Sequence, residues 1–164
     1  MIFVTVGSGP LDFTRLVKKM DEIAMEIGVE TIIQQGFTQY DPTYAKSFAF
    51  VPYEQALAFF KRARIIVGHA SAGPIMYARQ FNKPLIVFPR DGRLKELIDN
   101  HQIETAKAID GSSRMIEVVY HEEDLMEAVR RAIAKAETSL SYEENQTLSS
   151  LVGYIRDFIQ GVKK

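Results

Sequence analysis

Short apolar runs alternate along the chain with longer stretches in which apolar residues recur every three or four positions. A short apolar or β-branched run is typical of a strand buried on both faces, and the wider spacing is typical of an amphipathic helix. The runs predict strands over residues 2–6, 30–35, 48–51, 64–68, 84–88 and 115–119. The spaced stretches predict helices over residues 12–27, 53–62, 74–81, 94–109, 122–136 and 142–160.

Strands that alternate with helices indicate right-handed βαβ units and a parallel sheet covered on both faces. We therefore expect a Rossmann-like, three-layer α/β/α domain over residues 1–137, with a parallel sheet of about six strands. A polar segment then separates the last predicted helix from the preceding one, so residues 138–164 are expected to form a C-terminal helical extension of the same domain. The apolar stripe of that helix either packs on its own sheet or docks on a partner or a second copy.

Composition narrows the function classes. The chain has 164 residues, enough for one domain. Its 20 basic and 21 acidic residues give no basic excess, so general nucleic-acid binding is not indicated. The absence of cysteine excludes disulfides, thiolate metal sites and a cysteine nucleophile. No apolar run approaches the roughly 20 residues of a membrane span, and the N-terminus lacks the basic region of a signal peptide. We expect a cytoplasmic protein.

The loop after the fourth predicted strand is the first candidate for chemistry. It reads G-H-A-S-A-G-P, so His69 is surrounded by the small residues Ala70, Ser71, Ala72 and Gly73. Small side chains let a ligand approach the backbone, and the free N–H groups of a helix start attract phosphate. The alternative is a tight strand-to-helix turn with a structural histidine, and the spacing alone leaves both readings open.

Two further loops carry clustered small or polar residues. Asn100 and Gln102 belong to the segment D-N-H-Q, which can contact several hydroxyls or, alternatively, cap a helix. Gly7 and Ser8 follow the first strand in G-S-G-P, a weaker candidate because the G-x-G-x-x-G dinucleotide spacing is incomplete. No G-x-x-x-x-G-K-[ST] loop, H-E-x-x-H pair or G-x-S-x-G turn occurs in the sequence.

The nucleotide-sugar-binding half of the GT-B glycosyltransferases resembles this chain in the order of six motifs. These are V-T-V-G-S, Q-Q-G, F-V-P-Y, V-G-H-A-S-A-G-P-I-M, P-L-I-V-F-P-R and D-N-H-Q, spread over about residues 1–135. The chain is most similar to the small soluble subunits of two-part transferases, in the eukaryotic UDP-GlcNAc transferase and in bacterial capsule and exopolysaccharide synthesis. It is also similar to the C-terminal domain of MurG-type, family 28 transferases.

The resemblance implies a role for each loop. It implies diphosphate contacts for the Gly7-Ser8 loop, for His69 and for the helix start at Ala72-Gly73. It places the Gln35-Gly36 turn near the nucleotide and the backbone of Val51 at the uracil edge. The remaining candidate substrate-binding residues are Asn100 and Gln102 for the sugar hydroxyls, with Ala70, Ser71, Tyr77 and Arg90 beside them.

The chain departs from the family pattern at three places. Ala70 and Ser71 replace glycines, and a K-E-L segment ending at Leu97 replaces G-E-H. Tyr77 stands where the family carries a glutamate that holds the ribose hydroxyls. These departures favour an alternative function, a catalytically silent transferase-like binding or regulatory module. A third class is a stand-alone α/β enzyme that uses another nucleotide.

The resemblance also implies a missing half. A GT-B active site lies between two domains, and the resemblance assigns the acceptor site and the general base to a separate membrane-associated subunit. We therefore expect a UDP-sugar-binding subunit that transfers a hexose or N-acetylhexosamine to a lipid-linked acceptor together with that partner, and is inactive alone. No residue of this chain is predicted to be catalytic, since His69 suits phosphate binding better than proton transfer. No metal or cofactor is expected, and a homo-oligomer is possible.

Overall fold

The computed structural model of the chain describes residues 1–139, and within them six strands form one parallel sheet. The strands are β1 (Ile2–Thr5), β2 (Thr31–Gln34), β3 (Lys46–Phe48), β4 (Ile65–Gly68), β5 (Leu85–Val87) and β6 (Ile116–Val118). The α-helices are α1 (Thr14–Ile27), α2 (Tyr53–Arg62), α3 (Ala72–Gln80), α4 (His101–Ile109) and α5 (Leu125–Ser139). The predicted three-layer α/β/α architecture is confirmed. The helix predicted over 142–160, and nearly all of the extension 138–164, lie outside the described residues.

The strand order is β3-β2-β1-β4-β5-β6, so β1 lies between β2 and β4. From β1 the chain builds the sheet in one direction, and from β4 it builds in the other. Because crossover connections are right-handed, α1 falls on one face of the sheet and α3 on the opposite face. The loops after β1 and β4 therefore diverge and leave a crevice at their carboxyl ends, which is where open α/β sheets bind ligands.

The core consists of two apolar layers, one on each face of the sheet. Ile2 and Val4 point toward α1 and α5, whereas Phe3 between them points toward α2, where it meets Phe60 edge-on with ring centroids 4.9 Å apart. All four residues of β1 are buried. Burial on both faces explains why the strands read as continuous apolar runs rather than as alternating ones.

The third strand differs from its prediction. The apolar run 48–51 predicts a strand, but β3 ends at Phe48, and Phe50 and Val51 lie in the loop that follows. In this edge strand Lys46 and Ser47 are exposed, and Ile32 pairs with Lys46. An edge strand is held by backbone pairing and tolerates polar side chains, so the hydrophobic pattern does not set its position.

A buried carboxylate positions the segment that precedes β3. Asp21 of α1 is fully buried and accepts the backbone N–H groups of Thr43, Tyr44 and Ala45 at 2.8, 2.8 and 2.7 Å, and the hydroxyl of Tyr40 at 3.0 Å. Burial acts to raise the pKa of Asp21, but these four hydrogen bonds outweigh it and hold the pKa below the usual range. The charged side chain thus fixes the loop between β2 and β3.

The helix predicted over 94–109 is interrupted. A 3₁₀ turn spans Gly92–Leu94, α4 begins only at His101, and Lys95 adopts a left-handed conformation with φ of 60°. The cause is Glu96, whose carboxylate is buried and forms a two-point ion pair with Arg15 at 2.7 and 2.8 Å. The pair draws residues 95–100 out of the helical path.

Candidate functional site

Two loops cross at the crevice between β1 and β4. Gly7 lies directly against the imidazole of His69: a Cβ atom on Gly7 would lie 2.6 Å from Cε1 and 2.8 Å from Nε2. Gly7 also has a φ of +77°, which disfavours any residue with a side chain. Glycine at position 7 is therefore required for the loop to pass over the histidine.

The loop after β2 completes the same edge. A Cβ atom on Gly36, whose φ is +57°, would lie 3.0 Å from the backbone oxygen of Gly7. Asp12 joins the loops further, since one carboxylate oxygen accepts the N–H of Thr14 at 2.9 Å and the other accepts the N–H of Gln39 at 3.0 Å. The structure therefore brings Gly7, Gly36 and His69 together.

His69 is buried beneath this edge, with only 9% of its surface exposed. Its Nδ1 lies 3.4 Å from the backbone oxygen of Thr5. Burial, followed by the positive charge of Arg90, lowers the pKa of His69 to about 4, so the ring is neutral near pH 7. The bond to Thr5 assigns the proton to Nδ1, but at that length it is weak, so the tautomer that donates from Nε2 is also accessible.

The start of α3 forms the other wall of the crevice. Ala70 is buried, Ala72 is exposed, and the extended Ser71 precedes the helix without a side-chain cap. The N–H groups of the first helical residues, Ala72 and Gly73, have no partner within the helix, and the positive end of the helix dipole lies there. The helix packs close to β4 because Gly68 lacks a Cβ, which would lie 3.0 Å from Pro74. This arrangement suits an anion.

Arg90 is committed to contacts within the chain. The side chain is buried, and its guanidinium donates to the backbone oxygens of Val6, Leu11, Asp12 and Glu96 at 2.8 to 3.2 Å. It therefore ties the loop after β1 to the loop after β5. Its role as a substrate contact stays a prediction, and its fixed positive charge near His69 contributes to the electrostatics of the crevice.

The two amides of the D-N-H-Q segment hold the turn that follows β5. The Oε1 of Gln102, a buried residue, accepts the N–H of Arg90 at 3.1 Å, and the Oδ1 of Asn100 accepts the N–H of Gly92 at the same distance. Asp99 accepts the N–H of His101 at 3.1 Å, so the capping alternative is observed for Asp99. The oxygens of both amides are used internally, which leaves their N–H₂ groups as the atoms that would meet a hydroxyl.

The other predicted residues lie around the same edge. Ser8 is exposed in the loop after β1, and Val51 is half-buried between β3 and α2. Gln35 follows β2, and its buried Oε1 has no hydrogen-bond partner among the described residues. Tyr77 of α3 packs against Phe60 of α2 with ring centroids 4.7 Å apart.

Sequence reasoning missed the polar framework that supports these loops. Arg15 binds Glu96, donates to the backbone oxygens of Pro89 and Tyr120, and lies 4.2 Å from the ring centre of Phe88. No spacing signal could have found this pair, because its members are separated by 81 positions.

Phe37 and Phe50 were also missed. They pair edge to face at 5.0 Å while each remains nearly half exposed, at the same edge as the crevice. Their only sequence signal was an aromatic residue just after each strand.

No group of three His, Cys, Asp or Glu side chains within the described part of the chain could hold a metal ion. None of the helices within residues 1–139 combines the length and apolar character that crossing a bilayer requires.

Comparison of the sequence with protein families identifies this architecture. Residues 1–156 match the model of the glycosyltransferase family 28 C-terminal domain. The chain belongs to this family. The match covers almost the whole chain, so the crevice described above is the crevice of a family 28 C-terminal domain.

Solved structures share the fold of this family 28 domain. The glycotransferase of kitacinnamycin matches with a TM-score of 0.59 and 18% identity, covering 83% of this chain and 36% of that one. The UDP-GlcNAc 2-epimerase of Methanocaldococcus jannaschii, solved with UDP-GlcNAc and UDP, matches with a TM-score of 0.54 and 18% identity, covering 80% and 38%. The glycosyltransferase VinC, solved with DTDP, matches with a TM-score of 0.51 and 16% identity. The match covers 84% of this chain and 35% of VinC.

The chain thus spans little more than a third of the length of these structures. No protein of curated function matches it significantly.

Proposed function

We propose that this family 28 domain is the UDP-sugar-binding part of a glycosyltransferase. It transfers a hexose or N-acetylhexosamine from a UDP-sugar to a lipid-linked acceptor. The observation that carries the proposal is the crevice between β1 and β4, where the Gly7 loop, His69 and the start of α3 converge. Two of the structural neighbours were solved with nucleotides, which supports a nucleotide ligand for the same fold.

Donor groups of the chain itself are proposed to stabilise the leaving group. Negative charge develops on the departing diphosphate in the transition state, and preorganised donors that meet this charge lower the barrier. The N–H groups of Ala72 and Gly73 supply such donors together with the positive end of the α3 dipole. His69 adds a third donor when its proton is on Nε2, and Gly7 keeps the backbone close enough for contact.

The uracil and the sugar of the UDP-sugar are assigned to the neighbouring loops. The backbone at Val51 meets the uracil edge, with the Gln35-Gly36 turn beside it. The amide N–H₂ groups of Asn100 and Gln102 meet the sugar hydroxyls, since their oxygens are already bonded to the chain.

A partner supplies the acceptor side of the reaction. We propose a membrane-associated subunit that binds the lipid-linked acceptor and contributes the general base. The family 28 domain then works in the cytoplasm at the membrane surface, in capsule or exopolysaccharide synthesis, and is inactive alone. The match to a C-terminal domain supports a second, acceptor-binding part, because a GT-B active site lies between two domains.

The second candidate function is a transferase-like module that does not turn over sugar. Tyr77 favours this function, because it replaces a carboxylate by a phenol that already has a partner, Tyr53. Ser71, which replaces a family glycine just before α3, favours it too, whereas the side chain of Ala70 is buried in the core.

Calorimetric titration with UDP, UDP-glucose and UDP-GlcNAc tests donor binding. We expect binding, and we expect His69→Ala to weaken it by about 1–3 kcal/mol, the usual effect of losing a hydrogen bond to a charged group. His121→Ala, at an exposed position after β6, is the matched control and should leave the affinity unchanged. No heat with any uridine nucleotide at millimolar concentration would exclude the donor-binding function.

A further inference from the structure

One arginine side chain joins the two ends of the loop after β1. The guanidinium of Arg90 donates to the backbone oxygen of Val6 at 3.2 Å, just before the loop. It also donates to the backbone oxygens of Leu11 and Asp12 at 3.1 and 2.8 Å, just after the loop. We call the residues between these contacts, 7–10, the β1 loop. A single rigid group therefore fixes the distance between the two ends of the β1 loop.

Arg90 is itself held firmly. It follows β5, and its backbone N–H donates to Oε1 of Gln102 at 3.1 Å. Its Cζ lies 4.4 Å from the ring centre of Phe13, which is fully buried. A guanidinium presents several N–H groups in a planar fork, so it can bond acceptors on both ends of a loop at once, which the compact ammonium of a lysine cannot match.

The β1 loop has few hydrogen bonds of its own to hold its shape. Residues 8–10 are exposed, and two of the four loop residues are glycines. Within the part of the chain that the structure describes, the N–H groups of Ser8, Gly9 and Leu11 form no hydrogen bond. The first loop residue, Gly7, lies against the imidazole at the crevice. Free N–H groups on a short loop are donors for phosphate oxygens, provided that the loop is ordered.

The positive charge of Arg90 points to an anion as well. Only 3% of Arg90 is exposed, its four acceptors are neutral backbone oxygens, and no carboxylate in residues 1–139 forms an ion pair with it. Burial lowers the pKa of Arg90, and the nearby carboxylates of Glu96 and Asp12 offset this only in part. The Glu96 carboxylate is already paired with Arg15. A buried charge without a counter-ion is unfavourable, so an anion bound at the β1 loop would stabilise it.

We propose that Arg90 is the positioning residue of the donor site, and that it holds the β1 loop in the shape that binds the diphosphate of a nucleoside diphosphate. The loop N–H groups contact the phosphate oxygens, and Arg90 acts through the loop without touching the ligand. The inference rests on the proposed function, and it explains how a loop rich in glycine is ordered before the donor binds.

The fork of Arg90 and its charge can be separated by substitution. Arg90→Lys keeps the positive charge but cannot bond both ends of the loop, whereas Arg90→Met removes the charge and the hydrogen bonds together. A loop that must become ordered on binding lowers the affinity for the diphosphate by about tenfold for each residue whose backbone is fixed. Uridine has no phosphate, so its affinity should not depend on the loop.

The test combines ligand titration with backbone relaxation, both measured by NMR on the full chain. UDP and uridine are titrated into the native chain, Arg90→Lys, Arg90→Met and Arg131→Lys. The last variant is the matched control, because Arg131 of α5 donates from two nitrogens to Glu117 of β6 and does not contact the β1 loop. Relaxation of the Ser8 and Gly9 amides reports the order of the loop without a ligand, and thermal unfolding shows whether each variant folds.

We expect the Ser8 and Gly9 amides of the native chain to have order parameters of about 0.85, as rigid backbone does, and to fall below about 0.6 in Arg90→Lys. Both substitutions of Arg90 should lower the affinity for UDP by about tenfold or more and leave the affinity for uridine unchanged. Arg131→Lys should change neither affinity and leave the loop ordered.

Three results would overturn the role of Arg90 and leave donor binding intact. The first is a mobile β1 loop in the native chain, a measurement that requires no variant. The second is an equal loss of affinity for UDP and uridine, which a purely structural arginine would produce. The third is full UDP affinity in Arg90→Lys with a loss only in Arg90→Met, which would leave a role for the charge alone. A native chain that binds neither ligand instead overturns the donor-binding function and this proposal with it, so the two failures are distinguishable.

Discussion

The contact between Gly7 and His69 makes a quantitative prediction about stability. In Gly7→Ala the new methyl group would lie 2.6 Å from Cε1 of His69, well inside van der Waals contact. The imidazole has little room to retreat because it is only 9% exposed. The substitution also places an alanine at a φ of +77°.

The two penalties can be separated in magnitude. A left-handed conformation costs an L-residue about 1–2 kcal/mol, and overpacking a filled region costs about 1–3 kcal/mol more. We therefore expect Gly7→Ala to lower the free energy of unfolding by about 2–5 kcal/mol, measured by urea denaturation at pH 7.

The chain provides controls for each penalty. Gly28 has a φ of +63° and nothing within 4 Å of its would-be Cβ, so Gly28→Ala should show the backbone cost alone. Gly9 has neither a positive φ nor a close neighbour, so Gly9→Ala should change stability by less than about 0.5 kcal/mol. In the double variant with His69→Ala, the effect of Gly7→Ala should shrink by about 1–2 kcal/mol.

A Gly7→Ala variant no less stable than Gly28→Ala would refute the close approach of the loop to the imidazole. Additive effects of Gly7→Ala and His69→Ala on the free energy of unfolding would also refute this close contact. Either result would also remove the reason for placing both residues in one site.

Two further predictions concern the polar groups around the crevice. Glu96→Gln should lower the free energy of unfolding by about 3 kcal/mol in urea denaturation, because it removes the buried carboxylate that pairs at two points with the partly buried Arg15 guanidinium. Glu26→Gln, which breaks the exposed pair with Arg130, should lower it by less than about 1 kcal/mol. Equal effects of the two substitutions would contradict the structure. The His69 ring should stay neutral from pH 8 to pH 5.5 in an NMR titration, with a midpoint near its folded pKa of about 4. Because the folded pKa lies below the ordinary value of 6.5, His69 contributes stability that is complete above pH 6.5 and is lost as the pH falls toward 4. His69→Gln should lack that part of the pH dependence, and a midpoint near 6.5 would contradict the burial.

Hydrophobic patterning predicted the central strands well because their environment is simple. β1, β4 and β5 are buried on both faces, so all of their positions except Thr5 are apolar or glycine, and the apolar run marks the strand. The helices α1 and α2 were predicted to within two residues, since each buries one stripe against the sheet.

The errors occur where distant contacts override local pattern. β3 is an edge strand positioned by pairing with β2 and by the carboxylate of Asp21, and neither is visible in the residues 46–51 themselves. The segment before α4 has helical spacing, but its Glu96 is held by Arg15 of α1, a residue 81 positions away.

The candidate site divides in the same way. Sequence alone determined that small-residue loops follow β1 and β4, because glycine and alanine are needed where a backbone must pass close to another group and can be recognised directly in the sequence. Only the tertiary structure decided that these two loops are neighbours, since strand order is set by pairing across the sheet and not by order along the chain. The tertiary structure also decided that Arg90 donates to backbone oxygens and that the hydroxyl of Tyr77 bonds that of Tyr53. The partners of a long polar side chain depend on which elements the fold brings within its reach.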